Sequence, residues 1–232
     1  MIGESGPYCG PAPIPEDLLF RWNLDPAVLV PLLALAVLFR RNRHGLAATA
    51  ILALAFVSPI CALSSALFLA RVLHHVLLVA LAAPLLALAW PAKSTRPVGP
   101  FFLLATAALW LWHLPAAYDA ALSSVPLYWV MQASLLAPAL AFWRAVFQQP
   151  PTAGLGWVFL AYLQMGMLGA ILTLAPHALY AAHASAPLLW GMTPLGDQQL
   201  GGLIMWMPAA LPYAVWLALL ARKAWRATEV AS

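Results

Sequence analysis

Long apolar stretches, separated by short polar or proline-containing segments, run along almost the whole chain. A bilayer-spanning helix needs about 20 predominantly apolar residues, so these stretches predict transmembrane helices. The first one follows Asp25, which precedes a proline as helix N-caps often do. The seven expected spans are Pro26–Phe39, Leu46–Leu63, Ser65–Trp90, Pro100–Tyr118, Pro126–Phe147, Gly154–Ala175 and Leu200–Ala221.

The composition supports this interpretation of the apolar stretches. Of the 232 residues, 64% are hydrophobic and 8% are charged, with a mean hydropathy of +0.88, whereas an ordinary soluble domain has about 25% charged residues. A soluble globular domain and a disordered chain are both excluded. We expect an all-α integral membrane bundle, with an extended polar tail over residues 1–17, one transmembrane domain over 18–226 and a short tail over 227–232.

Basic residues concentrate in the connections on one side of the expected spans. Threading the seven spans places nine of the eleven Lys and Arg residues on that side and six of the seven acidic residues on the other. Short cytoplasmic loops collect Lys and Arg, so the pattern predicts an outer N-terminus and an inner C-terminus. We expect the membrane to be a bacterial inner (plasma) membrane. The nine basic residues are Arg40, Arg41, Arg43, Lys93, Arg96, Arg144, Arg222, Lys223 and Arg226.

Side chains that can bind a metal ion collect in the middle and outer half of this expected bundle. His74 and His75 lie about ten residues into the third span, roughly 15 Å from its outer end. Imidazole and thioether ligands together suit copper, above all Cu(I), although a methionine in a span more often packs than binds. The candidate ligands are His74, His75, His113, His177, His183 and Met205.

The third span carries an arginine and two adjacent histidines. Consecutive helical residues point about 100° apart, so His74 and His75 do not easily share one small site, whereas Arg71 and His75 lie on the same face. A membrane-buried histidine indicates function, which makes His75 the strongest ligand candidate. Arg71 either acts at the site, as a fixed cation or the partner of an anion, or has a structural role, in which it snorkels to the outer surface or pairs with Asp119 or Asp197.

The cysteines, the absence of catalytic motifs and the net charge limit the classes of function that the sequence allows. Cys9 and Cys61 fall on the same outer side, where either a disulfide or two free thiols, one handling copper, would fit. The sequence has no GxSxG, phosphate-loop, HExxH or CxxC motif, so we do not expect an enzyme. The net charge of +4 is explained by inner loops that face an anionic leaflet, and it gives no support for nucleic-acid binding.

Four segments resemble one known family. They are WNLDP from Trp22, RVLHHVLLVALAAPLLAL from Arg71, WHLPAAYDAAL from Trp112 and DQQLGGLIMWMP from Asp197. In this order they resemble the CtaG family of multi-helix cytochrome c oxidase assembly factors, over nearly the whole chain up to Ala221. The resemblance implies a role in maturing haem-copper oxidase by holding and delivering copper on the outer (periplasmic) side. The implied partners are oxidase subunits, periplasmic copper chaperones and membrane lipid.

The family's motifs can be matched to individual positions. His75 matches the second histidine of an HxxxH pattern, and His113 matches the histidine of a WHxP motif, while Arg71 replaces the first histidine of HxxxH. The DQQ motif, which we expect to cap the start of the seventh helix, is matched by Asp197, Gln198 and Gln199.

These assignments predict that His75 and His113 face each other and share an ion. A kink near Pro115 or an offset of the helices would bring the rings together, and His183 or Met205 would complete the ligand sphere. Two other functions use the same residues. One is a haem-binding electron-transfer protein, in which the histidine pair ligates haem. The other is a copper transporter, which the scarcity of polar groups in the inner half of the spans disfavours.

Overall fold

The computed structural model describes residues 7–229, and within this range the regular elements are helices, without a strand. The expected tails, 1–17 and 227–232, therefore fall partly outside the described residues. Helix α4 continues through a π-helical segment, Leu77–Ala82, into α5. The helices are α1 (Pro26–Leu38), α2 (Arg43–Phe56), α3 (Pro59–Ala66), α4 (Phe68–Val76), α5 (Ala83–Ala89), α6 (Val98–Leu111), α7 (Pro115–Ser123), α8 (Val125–Val146), α9 (Pro151–Thr173), α10 (Pro194–Trp206) and α11 (Ala210–Glu229).

Several of these helices have the length and composition of membrane spans. Within residues 7–229, four helical segments qualify: Phe68–Ala89, Val125–Val146, Pro151–Thr173 and Pro194–Glu229. The number is six if the bent pairs α2–α3 and α6–α7 each form one span. Helix α1 is apolar but has only 13 residues. Each of the seven expected stretches is largely helical, although four of them are interrupted, at 57–58, Leu67, 112–114 and 207–209, and four to six of the helical units have spanning length.

Prolines set the bends within the two broken pairs. Pro59 begins α3 after Ser58, whose hydroxyl accepts a hydrogen bond from the backbone N–H of Ile60, and the pair bends by 45°. Pro115 begins α7 and the second pair bends by 76°. A proline lacks the N–H that would continue the preceding helix. The kink expected near Pro115 is therefore present, directly after His113.

The π-helical segment is held by two buried tryptophans. Pro84 has no N–H to donate, so the carbonyl of Ala80 lacks its usual partner. The indole N–H of Trp216 donates to the carbonyl oxygen of Ala80 at 3.1 Å, and that of Trp143 donates to the carbonyl oxygen of Val79 at 2.9 Å. These bonds tie the α4–α5 span to α8 and α11. Such π-helical segments frequently lie at functional sites, and this one begins two residues after His75.

Close backbone contact positions α10 against α9. A Cβ atom at Gly169 would lie 2.7 Å from the carbonyl oxygen of Gly202, and one at Gly202 would lie 2.6 Å from that of Gly169. A Cβ at Gly201 would meet the ring of Phe68 at the start of α4. The two glycines after the DQQ motif therefore allow α10 to fit between α9 and α4.

The basic residues meet at one end of the bundle, which we call the basic end. Asn42 donates to the carbonyl of Ala89, Arg144 to that of Pro91, and Gln149 to that of Arg96. These bonds join the α1–α2, α5–α6 and α8–α9 connections. The clustering of basic connections expected from the sequence is thus present in the fold.

The opposite end, which we call the disulfide end, is closed by the N-terminal segment. Cys9 and Cys61 form a disulfide, the first of the two arrangements that the sequence permitted. Tyr8 donates a hydrogen bond to Asp25 at 2.6 Å, which lowers the pKa of that carboxyl group, and its ring stacks on Tyr128 at 5.1 Å. Tyr8 and Cys9, which belong to the expected tail, are therefore packed on the bundle.

Candidate metal site

Asp197 fixes the start of the helix that carries the candidate ligands. Its fully buried carboxylate accepts hydrogen bonds from the backbone N–H groups of Phe68 at 2.7 Å and Leu69 at 3.0 Å. These are unpaired donors of the first turn of α4, where negative charge is favourable. We expected Asp197 to cap its own helix, and that was wrong. Thr193 caps α10 by accepting from the N–H of Gly196.

Three buried histidines lie next to one another, and two of them are on α4, the helix whose start Asp197 caps. The ring centroids of His74 and His75 are 6.0 Å apart, and those of His75 and His113 are 5.6 Å apart, with the latter two rings edge to face. All four ring nitrogens of His74 and His75, and Nε2 of His113, lack a hydrogen-bond partner. Buried polar groups without partners are uncommon and costly. The structure thus brings His75 and His113 together, whereas their sharing of an ion stays a prediction.

The second nitrogen of His113 is oriented as in many metal-binding histidines. Its Nδ1 lies 2.7 Å from the carbonyl oxygen of Leu109. A carbonyl can only accept, so Nδ1 carries the proton and Nε2 keeps its lone pair free. A backbone carbonyl that fixes the ring in this way is the usual outer contact of a ligating histidine. The hydroxyl of Tyr180 donates to the carbonyl of His113 at 2.9 Å and further fixes this turn.

Arg71 is a fully buried cation on the same helix. One of its nitrogens, Nη2, donates to the carbonyl oxygen of Ser64 at 3.1 Å, while Nε and Nη1 have no hydrogen-bond partner. Its guanidinium lies over the ring of Tyr128, 5.2 Å from the centroid. Of the two proposed carboxylate partners, Asp119 instead accepts from two backbone N–H groups and Asp197 caps α4. Within residues 7–229, Arg71 thus makes no ion pair with either carboxylate, and its complete burial excludes snorkelling to the outer surface, whereas a role as a fixed cation beside a metal site stays a prediction.

His183, which we expected to complete the ligand sphere, has a hydrogen-bond partner at each of its ring nitrogens. Burial lowers its pKa to about 4, so the ring is neutral at pH 7. A neutral ring has one donor and one acceptor. Nδ1 therefore donates to the carbonyl of Ala66 at 3.1 Å, and Nε2 accepts from the hydroxyl of Tyr118 at 2.7 Å. His183 would have to release one of these partners to bind an ion.

The other predicted site residues lie away from the histidine cluster or serve packing. His177 is exposed, and Met205 is buried at the contact of α10 with Gly169 of α9. The side chain of Gln198 accepts from the N–H of Leu179 at 2.7 Å and so fastens the connection after α9. The carbonyl of Gln199 accepts from the hydroxyl of Thr173 at 3.4 Å.

The histidine cluster does not by itself form a complete metal site. Within residues 7–229, no three His, Cys, Asp or Glu side chains converge closely enough to hold a metal ion. A soft thioether is the remaining ligand type that suits Cu(I).

The comparison with protein families identifies the family of this chain. The family model for the cytochrome c oxidase caa3 assembly factor, CtaG, matches residues 94–227, which is more than half of the chain. The chain belongs to this family. The match to the assembly-factor family includes His113 and Asp197 but begins after the span that carries Arg71, His74 and His75. No curated protein matches the chain, and no solved structure matches it either.

Membership in the CtaG family agrees with the resemblance that the motifs carry. It gives the chain a role in assembling cytochrome c oxidase, and its apolar helices are those of a membrane protein. The matched region supplies Asp197 for α4 and His113 for the cluster. The α4 span, which lies outside the matched region, thus contacts that region through Asp197 and His113.

Proposed function

We propose that this oxidase assembly factor holds copper between His75 and His113 and passes it to an oxidase subunit. The main support is the pair itself: two buried rings with centroids 5.6 Å apart, in which three of four nitrogens lack a hydrogen-bond partner. An ion would supply the missing partner. The proposal requires no chemical reaction on a substrate, in keeping with the absence of catalytic motifs from the sequence.

Arg71 gives the site a property that suits a carrier of copper. Its buried positive charge, on the same helix face as His75, disfavours a second cation nearby. Imidazole ligands suit copper, and the neighbouring charge would keep that binding reversible. We propose that periplasmic copper chaperones supply the ion and that oxidase subunits receive it.

The alternative functions fit the contacts less well. The edge-to-face contact of His75 and His113, with ring centroids 5.6 Å apart, leaves no room for a porphyrin between the two rings. Below the histidines, the carbonyls of Val79 and Ala80 are occupied by the indoles of Trp143 and Trp216. These two carbonyls are therefore not available to an ion that moves toward the basic end, and this disfavours a transporter.

Metal analysis of the purified protein tests the proposed cargo. After exposure to Cu(I) under reducing conditions and removal of free metal, we expect about one copper ion per chain, retained in the presence of equimolar zinc. The visible spectrum should lack a strong Soret band. Stoichiometric haem, or zinc retained in preference to copper, would contradict the proposal.

We further propose that all seven helical stretches span a bacterial inner membrane, with the disulfide end facing the periplasm. The basic connections at the other end satisfy the preference of cytoplasmic loops for Lys and Arg, and a disulfide suits an oxidising compartment. A reporter fused after Ser232 should then be active in the cytoplasm, and a tag near Met1 should be accessible from outside. A tag near Met1 that is protected in intact spheroplasts would refute this orientation.

A further inference from the structure

A cavity of about 340 Å³ opens at the basic end of the bundle, and we call it the basic cavity. It lies between the end of α5, the following connection, the start of α6 and the last turns of α8. Its volume is within the range of small-molecule sites. The residues that line it are Trp90, Ala92, Lys93, Ser94, Arg96, Phe101, Ala141, Arg144 and Ala145.

The polar wall of the basic cavity is positively charged. Lys93, Arg96 and Arg144 line it together with the hydroxyl-bearing Ser94, and no carboxylate is among the lining residues. Three cations that line one cavity without a counter-charge repel one another unless an anion lies between them. The cavity therefore has the electrostatics of an anion site.

Arg144 is held in position for such an anion. Its guanidinium lies over the indole of Trp90, 5.0 Å from the ring centroid, and Nη2 donates to the carbonyl of Pro91 at 3.2 Å. Its Nε is buried and lacks a hydrogen-bond partner. Stacking on an aromatic ring leaves the edge of a guanidinium free, and that edge matches the oxygen spacing of a phosphate.

The remaining wall of the cavity is apolar. Phe101, Ala141 and Ala145 face the same space, and Trp90 follows the last residue of α5, in the position that tryptophans favour at a membrane surface. An apolar wall would not help a free inorganic anion. It would contact the glycerol and upper acyl carbons of a lipid whose phosphate meets the three cations.

We propose that the basic cavity binds the headgroup of an anionic phospholipid, such as phosphatidylglycerol. The proposal is independent of the copper site, which lies at the opposite end of the α4–α5 span. A basic pocket between helices on the cytoplasmic side is the expected form of an anionic-lipid site. A lipid bound here would join α5, α6 and α8 at the basic end.

Native mass spectrometry of the protein with an equimolar mixture of phosphatidylglycerol and phosphatidylcholine tests this site. We expect the wild-type protein to retain phosphatidylglycerol preferentially. Each cation near a membrane surface changes the affinity about five-fold, so the double variant Lys93→Gln/Arg96→Gln should reduce the preference by at least an order of magnitude. Arg144 is left unchanged in this variant because it also supports the local fold.

The matched control is Arg40→Gln/Arg41→Gln, which removes the same charge at the same end but outside the cavity. Retention of the preference in this control, together with its loss in Lys93→Gln/Arg96→Gln, supports a defined site. Equal losses in both double variants would show only general attraction to basic loops and would overturn the proposal. So would displacement of the lipid by millimolar inorganic phosphate, because the site would then select a free anion.

Discussion

Replacing either His75 or His113 by alanine is expected to reduce copper affinity by more than about 100-fold and to abolish copper retention during purification. Loss of an outer-shell partner already costs 10- to 100-fold in metal affinity, and loss of one of two histidine ligands costs more. Copper per chain, measured by elemental analysis, and oxidase activity in a strain that carries only the variant are the measurements. Both should fall while the protein is still expressed.

The structure provides matched controls for this experiment. The rings of His75 and His113 make few hydrogen bonds, so their removal should cost mainly packing, which thermal unfolding in detergent can verify. His177→Ala removes an exposed imidazole at the disulfide end, and His44→Ala removes one next to the basic Arg43. Neither should change copper content. Unchanged copper content in both His75→Ala and His113→Ala would show that no shared site exists.

Features that depend on local pattern could be predicted from the sequence. The apolar stretches indicated the positions of the helices, and the Lys and Arg residues indicated which connections share an end of the bundle. Pro115 indicated the kink that follows His113. These features follow from the nearby chain, because a proline removes an N–H wherever it stands and an apolar stretch of sufficient length needs a bilayer or a core.

Features that depend on contacts between distant residues could not be predicted. Asp197 accepts from N–H groups more than 120 positions earlier in the chain, whereas a sequence suggests first that a carboxylate near a helix start caps that helix. His183 was expected as a ligand that completes the metal sphere, yet it lies buried between Tyr118 and the carbonyl of Ala66, and both of its ring nitrogens are engaged there. In both cases the side chain has an ordinary role, and only the folded chain determines its partner.

The second large effect is expected for Asp197→Ala, which should destabilise the protein by about 2 to 4 kcal/mol. The substitution leaves the N–H groups of Phe68 and Leu69 without an acceptor in a buried position, and hydrogen bonds to a charged group are worth about 1.5 to 3 kcal/mol each. It also removes the negative charge from the start of α4. For a chain of this size, the thermal unfolding midpoint should fall by roughly 10 °C.

Asp119 offers a matched comparison, because its carboxylate also accepts from two backbone N–H groups, those of Ala181 and Ala182, but at a partly exposed position. Water can replace the lost acceptor there, so Asp119→Ala should cost only about 1 kcal/mol. Asp197→Asn retains one acceptor oxygen and should fall between the two alanine variants. If Asp197→Ala is no more destabilising than Asp119→Ala, the cap does not hold α4 in place. If Asp197→Asn keeps its stability but loses copper, the carboxylate acts on the ion rather than on the helix.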